Sequence, residues 1–441
     1  MISMKPTPLS QLATISAGQA APKDEEFSEC GLPFIRAGSL DSLLSGKSES
    51  ALELVSEQTA VLRKLKTYPK GTILFAKSGM SAAKDRIYVL RNSAHVVSHL
   101  ATLIPNGNVY GDFLRLALKR FPPSVLIKDL AYPSISLSDI QNYEIPVPEQ
   151  HDDQIRIAHL LGKVEGLIAQ RKKHLQQLDD LLNSIFLEMF GPKSAGYADW
   201  PLIEIKDLAA EHKGAMRTGP FGSNLLHSEF ATDGDIAVLG IDNAVKNRFV
   251  WDERRFITNE KYKELESYRI FAGDVIITIM GTVGRSAVVP DDIPLAINTK
   301  HLAAITLNQK LANPLFLSYS VHSSPYILNQ LKSKNRGAIM SGLNLGLIKE
   351  TKLKRPPIAR QDKFAETHMR IDDLRTAYHQ SIIDLESLYR AISQQAFKGE
   401  LDLSRVPVSG IQAAKEKREA AKPLKIPLLS DNPPIFNSLQ S

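Results

Sequence analysis

Residues 154–190 carry apolar side chains at helical spacing over a span that contains no proline. Ile157, Leu160, Leu161, Val164, Leu167, Ile168, Leu175, Leu178, Leu181, Leu182, Ile185 and Met189 fall on one stripe, broken midway by Arg171 and His174. Gly191-Pro192 follows as a stop. At about 1.5 Å per residue this predicts one helix of roughly 50 Å, the length of a spacer or a coiled-coil strand. The pattern returns over residues 361–397, an offset of 361 − 154 = 207. Gln154/Gln361, Leu178/Leu385, Leu181/Leu388, Ile185/Ile392 and Phe190/Phe397 are identical pairs. The chain is therefore an internal repeat, and its two halves are to be read against each other.

The residues before each helix repeat as well. Gly71, Gly79 and His99-Leu100-Ala101 recur as Gly273, Gly281 and His301-Leu302-Ala303, all at an offset of 202. The change to 207 places a net five-residue insertion before the second helix, which a surface loop tolerates. Residues 32–37 and 72–76 read as strands, residues 49–66 and 110–120 as helices, and residues 143–148 as an extended lead into the long helix. This mixture predicts an α/β (α+β) fold with two similar domains joined by two long antiparallel coiled-coil helices and an internal pseudo-twofold repeat. The expected boundaries are 1–150 for the first domain, 151–191 for the first helix, 192–200 for a linker, 201–357 for the second domain and 358–400 for the second helix. A flexible Lys/Glu/Pro-rich tail is expected over 401–441.

With 441 residues, 43% hydrophobic and 23% charged, the chain has ample material for cores. It has no apolar run of membrane-spanning length, and MISMKPTPLS lacks an export segment, so a cytoplasmic location is expected. A single cysteine, Cys30, excludes an internal disulfide and a cysteine-cluster metal site. Enzyme constellations fail. No phosphate-binding G-x-x-x-x-G-K-[ST] loop occurs. Asn432-Pro433-Pro434-Ile435 resembles a methyltransferase motif but has Ile where an aromatic would stack on a flipped base. Pro290-Asp291-Asp292 reads as a turn. His99 and His301 have no second ligand spaced to hold a metal, and the simplest reading places each at the start of a buried Leu-Ala strand.

Taken together, residues 5–400 resemble the specificity subunit of type I restriction–modification enzymes. The residues that carry the resemblance are Arg217-Thr218-Gly219-Pro220-Phe221-Gly222-Ser223, Tyr268, Gly273-Asp274-Val275-Ile276-Ile277, Gly281-Thr282-Val283-Gly284, Gly342-Leu343-Asn344, and the proline-rich lead and Gln of each helix. The first half departs from the pattern, with Lys70-Gly71-Thr72 where the family has Gly-Asp and no Gly-Pro-Phe-Gly box. The resemblance implies a non-catalytic chain whose two target-recognition domains read a two-part site in double-stranded DNA. It also implies two methyltransferase subunits and restriction/translocase subunits as partners. S-adenosylmethionine, ATP and Mg would then belong to those partners, with no cofactor bound by this chain. The alternative is a coiled-coil scaffold that does not bind DNA.

The net charge of +6 is modest, but the basic residues are unevenly placed. Lys332, Lys334, Arg336, Lys349, Lys352, Lys354, Arg355 and Arg360 face a single acid, Glu350, over residues 331–360, and residues 64–91 form a second basic stretch. Such clusters suit phosphate contacts and counterion release. Base reading needs forked, amide or hydroxyl groups on loops where glycine permits close approach. The candidates in the first half are Lys77, Ser78, Met80, Ser81, Lys84 and Arg86. Those in the second are Arg217, Thr218, Ser223, Asn224, Thr282, Arg285, Lys300, Lys334, Arg336, Ser341 and Asn344.

Overall fold

A computed structural model describes residues 2–251, 253–334 and 342–408, with Ser223 and Lys334 described by backbone alone. The chain divides into two compact units, one comprising Met1–Ala169 and Ile383–Ser441, the other Gln170–Ile382.

In the first unit a four-stranded antiparallel sheet has the order Ala13–Ala17, Leu100–Pro105, Ile73–Ala76, Tyr88–Val89. A three-stranded sheet has the order Leu54–Val55, Leu32–Ile35, His95–Val96, its last pair being parallel. Side chains alternate faces along a strand. Ile73 and Phe75 accordingly enter one core with the helix Gly111–Arg120, while Leu74 and Ala76 enter another with Phe34 and Tyr68. Both faces are covered, which is why residues 73–76 read as an unbroken apolar run. The proline-rich lead Glu144–Pro148 is a strand paired antiparallel with Met4–Pro8.

The second unit repeats this plan. One sheet runs Met216–Thr218, Leu302–Ile305, Val275–Thr278, Ser286–Val288, again antiparallel. The other runs Phe256–Ile257, Ile236–Leu239, Ala296–Asn298, Arg269–Ile270, with the parallel pair in the same place and one added edge strand. The sequence repeat is thus a repeat of strand order and direction.

Each long helix is continuous, His151–Phe190 and Ile358–Phe397. Within the first unit Ile157, Ala158 and Leu161 share a core with Ala396 and Phe397, and the Tyr389 hydroxyl donates to Glu165 Oε1 at 3.3 Å. Within the second, Leu182, Phe186 and Phe190 share a core with Phe364 and Ile371, and Arg375 Nη2 lies 2.5 Å from Asp179 Oδ1. In both units the early part of one helix meets the late part of the other, so the helices run antiparallel. The break in the first stripe is filled by polar and aromatic contacts. Arg171 lies over the Tyr378 ring at 5.2 Å, and the ring of His174 approaches it at 5.3 Å.

Two expectations are corrected, a single helix over residues 49–66 and a flexible tail beginning at residue 401. Residues 49–66 are not one helix but a 3-10 turn Glu49–Ala51, a strand Leu54–Val55 and a short helix Glu57–Leu62. The cause is tertiary: the buried Glu49 carboxylate accepts hydrogen bonds from Tyr88 Oη, Arg91 N, Asn92 N and Asn92 Nδ2, which fixes the chain outside a helix. Leu167 and Leu181 of the stripe are 45% and 46% exposed, so the stripe is wider than the helix contact. The first residues after the second helix are anchored. Leu403 is buried in the first unit's core, the Val406 carbonyl accepts from Arg156 Nε at 2.9 Å, and Ile2 N donates to Gly399 O at 2.7 Å. Residues 409–441, with Asn432 to Ile435, lie outside the described residues.

Candidate nucleic-acid interface

The two halves hold their candidate loops by one backbone frame. Beyond the strand Ile73–Ala76, Lys77 N donates to His99 O at 2.9 Å and Lys77 O accepts from Ile135 N at 2.7 Å. Beyond Val275–Thr278, Ile279 N donates to His301 O at 2.9 Å and Ile279 O accepts from Leu343 N at 2.8 Å. Each chain then turns at a glycine with positive φ, 74° at Gly79 and 70° at Gly281, a conformation costly to any side chain. His99 and His301 therefore serve this frame through their carbonyls and immediately precede the buried Leu-Ala strands, in keeping with the simple reading of both.

In the first unit the frame presents a compact tip. Ser78 Oγ lies 2.7 Å from His99 Nδ1, Met80 is 68% exposed, Lys84 is exposed, and Lys77 and Ser81 are half-buried. Arg86 is engaged differently: its side chain is largely buried and its Nε lies 2.6 Å from Asp41 Oδ1, which straps the base of the loop. Sequence reasoning missed Leu130 and Tyr132, 77% and 82% exposed. Gly79 N donates to Pro133 O at 2.9 Å and Ser78 bridges Ser134, which brings this segment beside Met80. Only the long-range pairing reveals it.

In the second unit one expectation is overturned. Arg217 is not on a loop but in the strand Met216–Thr218, buried, its guanidinium paired with the fully buried Asp274. It also donates from Nε to Arg269 O at 2.7 Å and from Nη1 to Thr306 Oγ1 at 3.0 Å. Asp274 accepts in addition from Thr306 Oγ1 at 2.6 Å and Phe271 N at 2.8 Å. At the corresponding places of the first unit stand Ser16 and Thr72, so the ion pair is present or absent as a unit.

The remaining candidates surround this anchor. Thr218 is half-buried; Gly219 abuts residues 298–299 so closely that a Cβ would come within 2.1 Å of Asn298 O. Phe221 then emerges 59% exposed, followed by the exposed Asn224. Thr282 and Arg285 are exposed on a hairpin tightened by Thr278 Oγ1, which donates to Thr282 O and accepts from Arg285 N at 2.9 Å. Lys300 and His301 are half-buried, and burial, then Lys300 and His227, hold the His301 pKa below its ordinary value. Gly342 is placed against Ile279 O. Asn344 is exposed, but its Oδ1 accepts from Leu347 N at 2.9 Å and caps the helix Leu345–Lys349, as Ser136 caps Leu137–Asn142. The loops around 219–224, 280–285, 298–301 and 342–344 are thus neighbours. Arg336 and Ser341 lie outside the described residues, as do the side chains of Ser223 and Lys334. Among the described residues no cluster of His, Cys, Asp or Glu is placed to hold a metal ion, and no helix is long and apolar enough to cross a membrane.

Comparison with known proteins agrees with this duplicated plan. Residues 1–179 and 198–386 match the type I restriction modification DNA specificity domain. Among curated relatives, the MjaIX specificity subunit of Methanocaldococcus jannaschii is 29% identical over 148 residues, 32% of this chain and 33% of that one. The EcoBI specificity subunit of Escherichia coli is 25% identical over 151 residues, 33% and 31% of the two chains. The matched stretch thus spans about a third of each relative. Among solved structures, the S subunit of a type I restriction-modification system from M. genitalium superposes with a TM-score of 0.54 at 14% identity, over 90% of this chain and 96% of that one. A chain from a structural study of type I complex assembly and conformational transition gives the same TM-score at 16% identity, over 91% and 100%. At such identities these likenesses speak for the fold; the match of the specificity domain to both halves places the chain in the family of type I restriction–modification specificity subunits.

Proposed function

We propose that the chain is the sequence-reading subunit of a type I restriction–modification complex, with each domain reading one half of a bipartite target in double-stranded DNA. The observation that carries this is the common frame with unlike tips. The same backbone bonds hold Lys77-Ser78-Gly79-Met80-Ser81 in one unit and Ile279-Met280-Gly281-Thr282-Val283 in the other. A shared scaffold bearing different donors, acceptors and apolar groups is what two different half-sites require. Met80 and Ser81, with Lys84 on the backbone, read or hold one half; Thr218, Asn224, Thr282 and Arg285, with Lys300, serve the other.

The helices set the unread spacer and dock two methyltransferase subunits. Exposed Leu167, Ile383 and Leu388 in the first unit, and Leu181, Leu187, Met369 and Leu374 in the second, supply apolar surface for that contact. The chain itself holds no cofactor and performs no chemistry. Methylation with S-adenosylmethionine belongs to those subunits, and ATP- and Mg-dependent cleavage to a restriction subunit, in the cytoplasm. Selection of bound duplexes from a random library by the reconstituted complex tests the reading. Wild type should enrich a two-part sequence, and Thr282→Ala should relax one part only. Enrichment of no sequence would overturn it.

A further inference from the structure

The tip of the first unit presents large apolar side chains to water. Met80 is 68% exposed, Leu130 77% and Tyr132 82%. Backbone bonds bring their two segments together. Gly79 N donates to Pro133 O at 2.9 Å, Ile135 N donates to Lys77 O at 2.7 Å, and Ser78 bridges Ser134 between them. Pro133 and Ile135 are buried while Tyr132 and Ser134 are exposed, the alternation of a strand, so Tyr132 leaves from the same face as Ser134 and its partner Ser78. Leu130 sits in a turn closed by Asp129 Oδ1, which accepts from Ala131 N at 2.8 Å. Apolar residues scattered singly over a surface are ordinary, whereas three on two paired segments mark a contact surface.

The charges around this tip do not select a phosphate. Lys77 and Lys84 are matched in number by Asp85 and Asp129, Lys128 pairs with Asp139 at 3.3 Å, and Arg86 pairs with Asp41. An apolar, nearly neutral surface flanked by the hydroxyls of Ser78 and Ser81 suits base edges better than the charged backbone. Among base edges the apolar feature is the C5 methyl of thymine, which projects into the major groove; the minor groove presents no such group. Leucine, methionine and the tyrosine ring can each shield that methyl from water.

We propose, on the reading of the chain as a DNA-recognition subunit, that Leu130 and Tyr132, with Met80, recognise thymine in the first unit's half-site through its methyl group. The complex with its methyltransferase subunits first selects its target from random duplexes. Each thymine of that target is then replaced singly by deoxyuridine, which removes the methyl and leaves the hydrogen-bonding edge unchanged. Affinity is measured by fluorescence anisotropy for wild type, for the double variant Leu130→Ser with Tyr132→Ser, and for Val61→Ser. Val61, 73% exposed on the helix Glu57–Leu62, is the control for loss of an exposed apolar group. Both tip residues lie on the surface, so the double change spares the core. At one or more positions uracil should weaken wild type and Val61→Ser about fourfold, the worth of one methyl-sized group taken from water, whereas the double variant should bind both forms alike. Equal affinity for thymine and uracil at every position overturns the proposal, as does discrimination that survives in the double variant or a target half relaxed by that variant that contains no thymine. A neighbouring 2-aminopurine that brightens on binding while thymine and uracil bind alike also overturns it, since that is the mark of a side chain wedged between bases. Loss of the methyltransferase subunits from the double variant with discrimination intact overturns it in favour of a protein-docking patch. A two-part target selected without thymine dependence leaves the recognition reading standing, while selection of no sequence overturns both.

Discussion

Replacing Asp274 by alanine separates a structural arginine from a base-reading one. In the native second unit Asp274 is fully buried and accepts from Arg217, Thr306 Oγ1 and Phe271 N, while Arg217 is itself 7% exposed. Truncation leaves a buried guanidinium without its counter-ion, which costs about 3–5 kcal/mol in known cases. For a unit of this size that corresponds to a melting shift on the order of 10 °C. The double change Arg217→Met with Asp274→Leu removes both charges and should recover most of the loss, because an apolar pair of similar volume carries no desolvation cost. Hydrogen exchange of residues 269–278, measured in the chain with its partners, localises the effect; protection there should fall in Asp274→Ala and return in the double variant. Arg217→Lys keeps the charge but loses the fork, so it should lower stability without changing the DNA sequence selected. The reasoning fails if Asp274→Ala leaves protection intact, or if Arg217→Lys alters the selected sequence in a fully stable protein.

Gln361→Ala strips partners from Asn313 N and from the Leu311 and Pro356 carbonyls, and a loss of about 2–4 kcal/mol in urea unfolding is expected, with no change in the selected sequence. Burial, with Arg285 adding, pushes the His322 pKa down to about 3, against about 6.5 in an unfolded chain. The folded imidazole stays neutral, so the associated stability is whole above about pH 6.5 and is lost as pH falls toward 3. At pH 5 the loss is about 2 kcal/mol, and His322→Asn should flatten that slope in phosphate-free urea titrations. Paired four-residue insertions after Arg171 and after Tyr378 turn each helix by about 400°, nearly in phase, and add roughly 6 Å. The target spacer should lengthen by about one or two base pairs at about 3.4 Å each; a stable complex that keeps the original spacing would contradict the ruler role.

The long helices, the strand lead at Glu144–Pro148 and the repeat itself were legible because each is written in local periodicity or in a fixed offset. Gln154 and Gln361 were visible as an identical pair, and their reason is now plain. Each joins the chain before its helix to a neighbouring segment, Gln154 through Tyr110 N and Pro148 O, Gln361 through Asn313 N and Pro356 O. What local pattern cannot show is a partner far along the chain. Residues 49–66 fit a helical spacing, yet Glu49 is taken by residues 88–92. Arg217 looked like an exposed fork, and its partner lies 57 residues away, although the loss of Asp at Thr72 in the first half was a signal that the two belong together. Tyr132 joins the first tip only through the pairing of Gly79 with Pro133.

The division of labour between the two units is tested most directly by mapping modified bases across the genome of cells that carry this chain with its methyltransferase partner. Wild type is compared with a variant in which Met80, Ser81 and Lys84 are all alanine. Two half-sites separated by unread positions are expected, with the variant relaxing or changing one half while the other half and the spacing persist. A single contiguous motif, or a change in both halves from substitutions confined to the first unit's tip, would contradict the account.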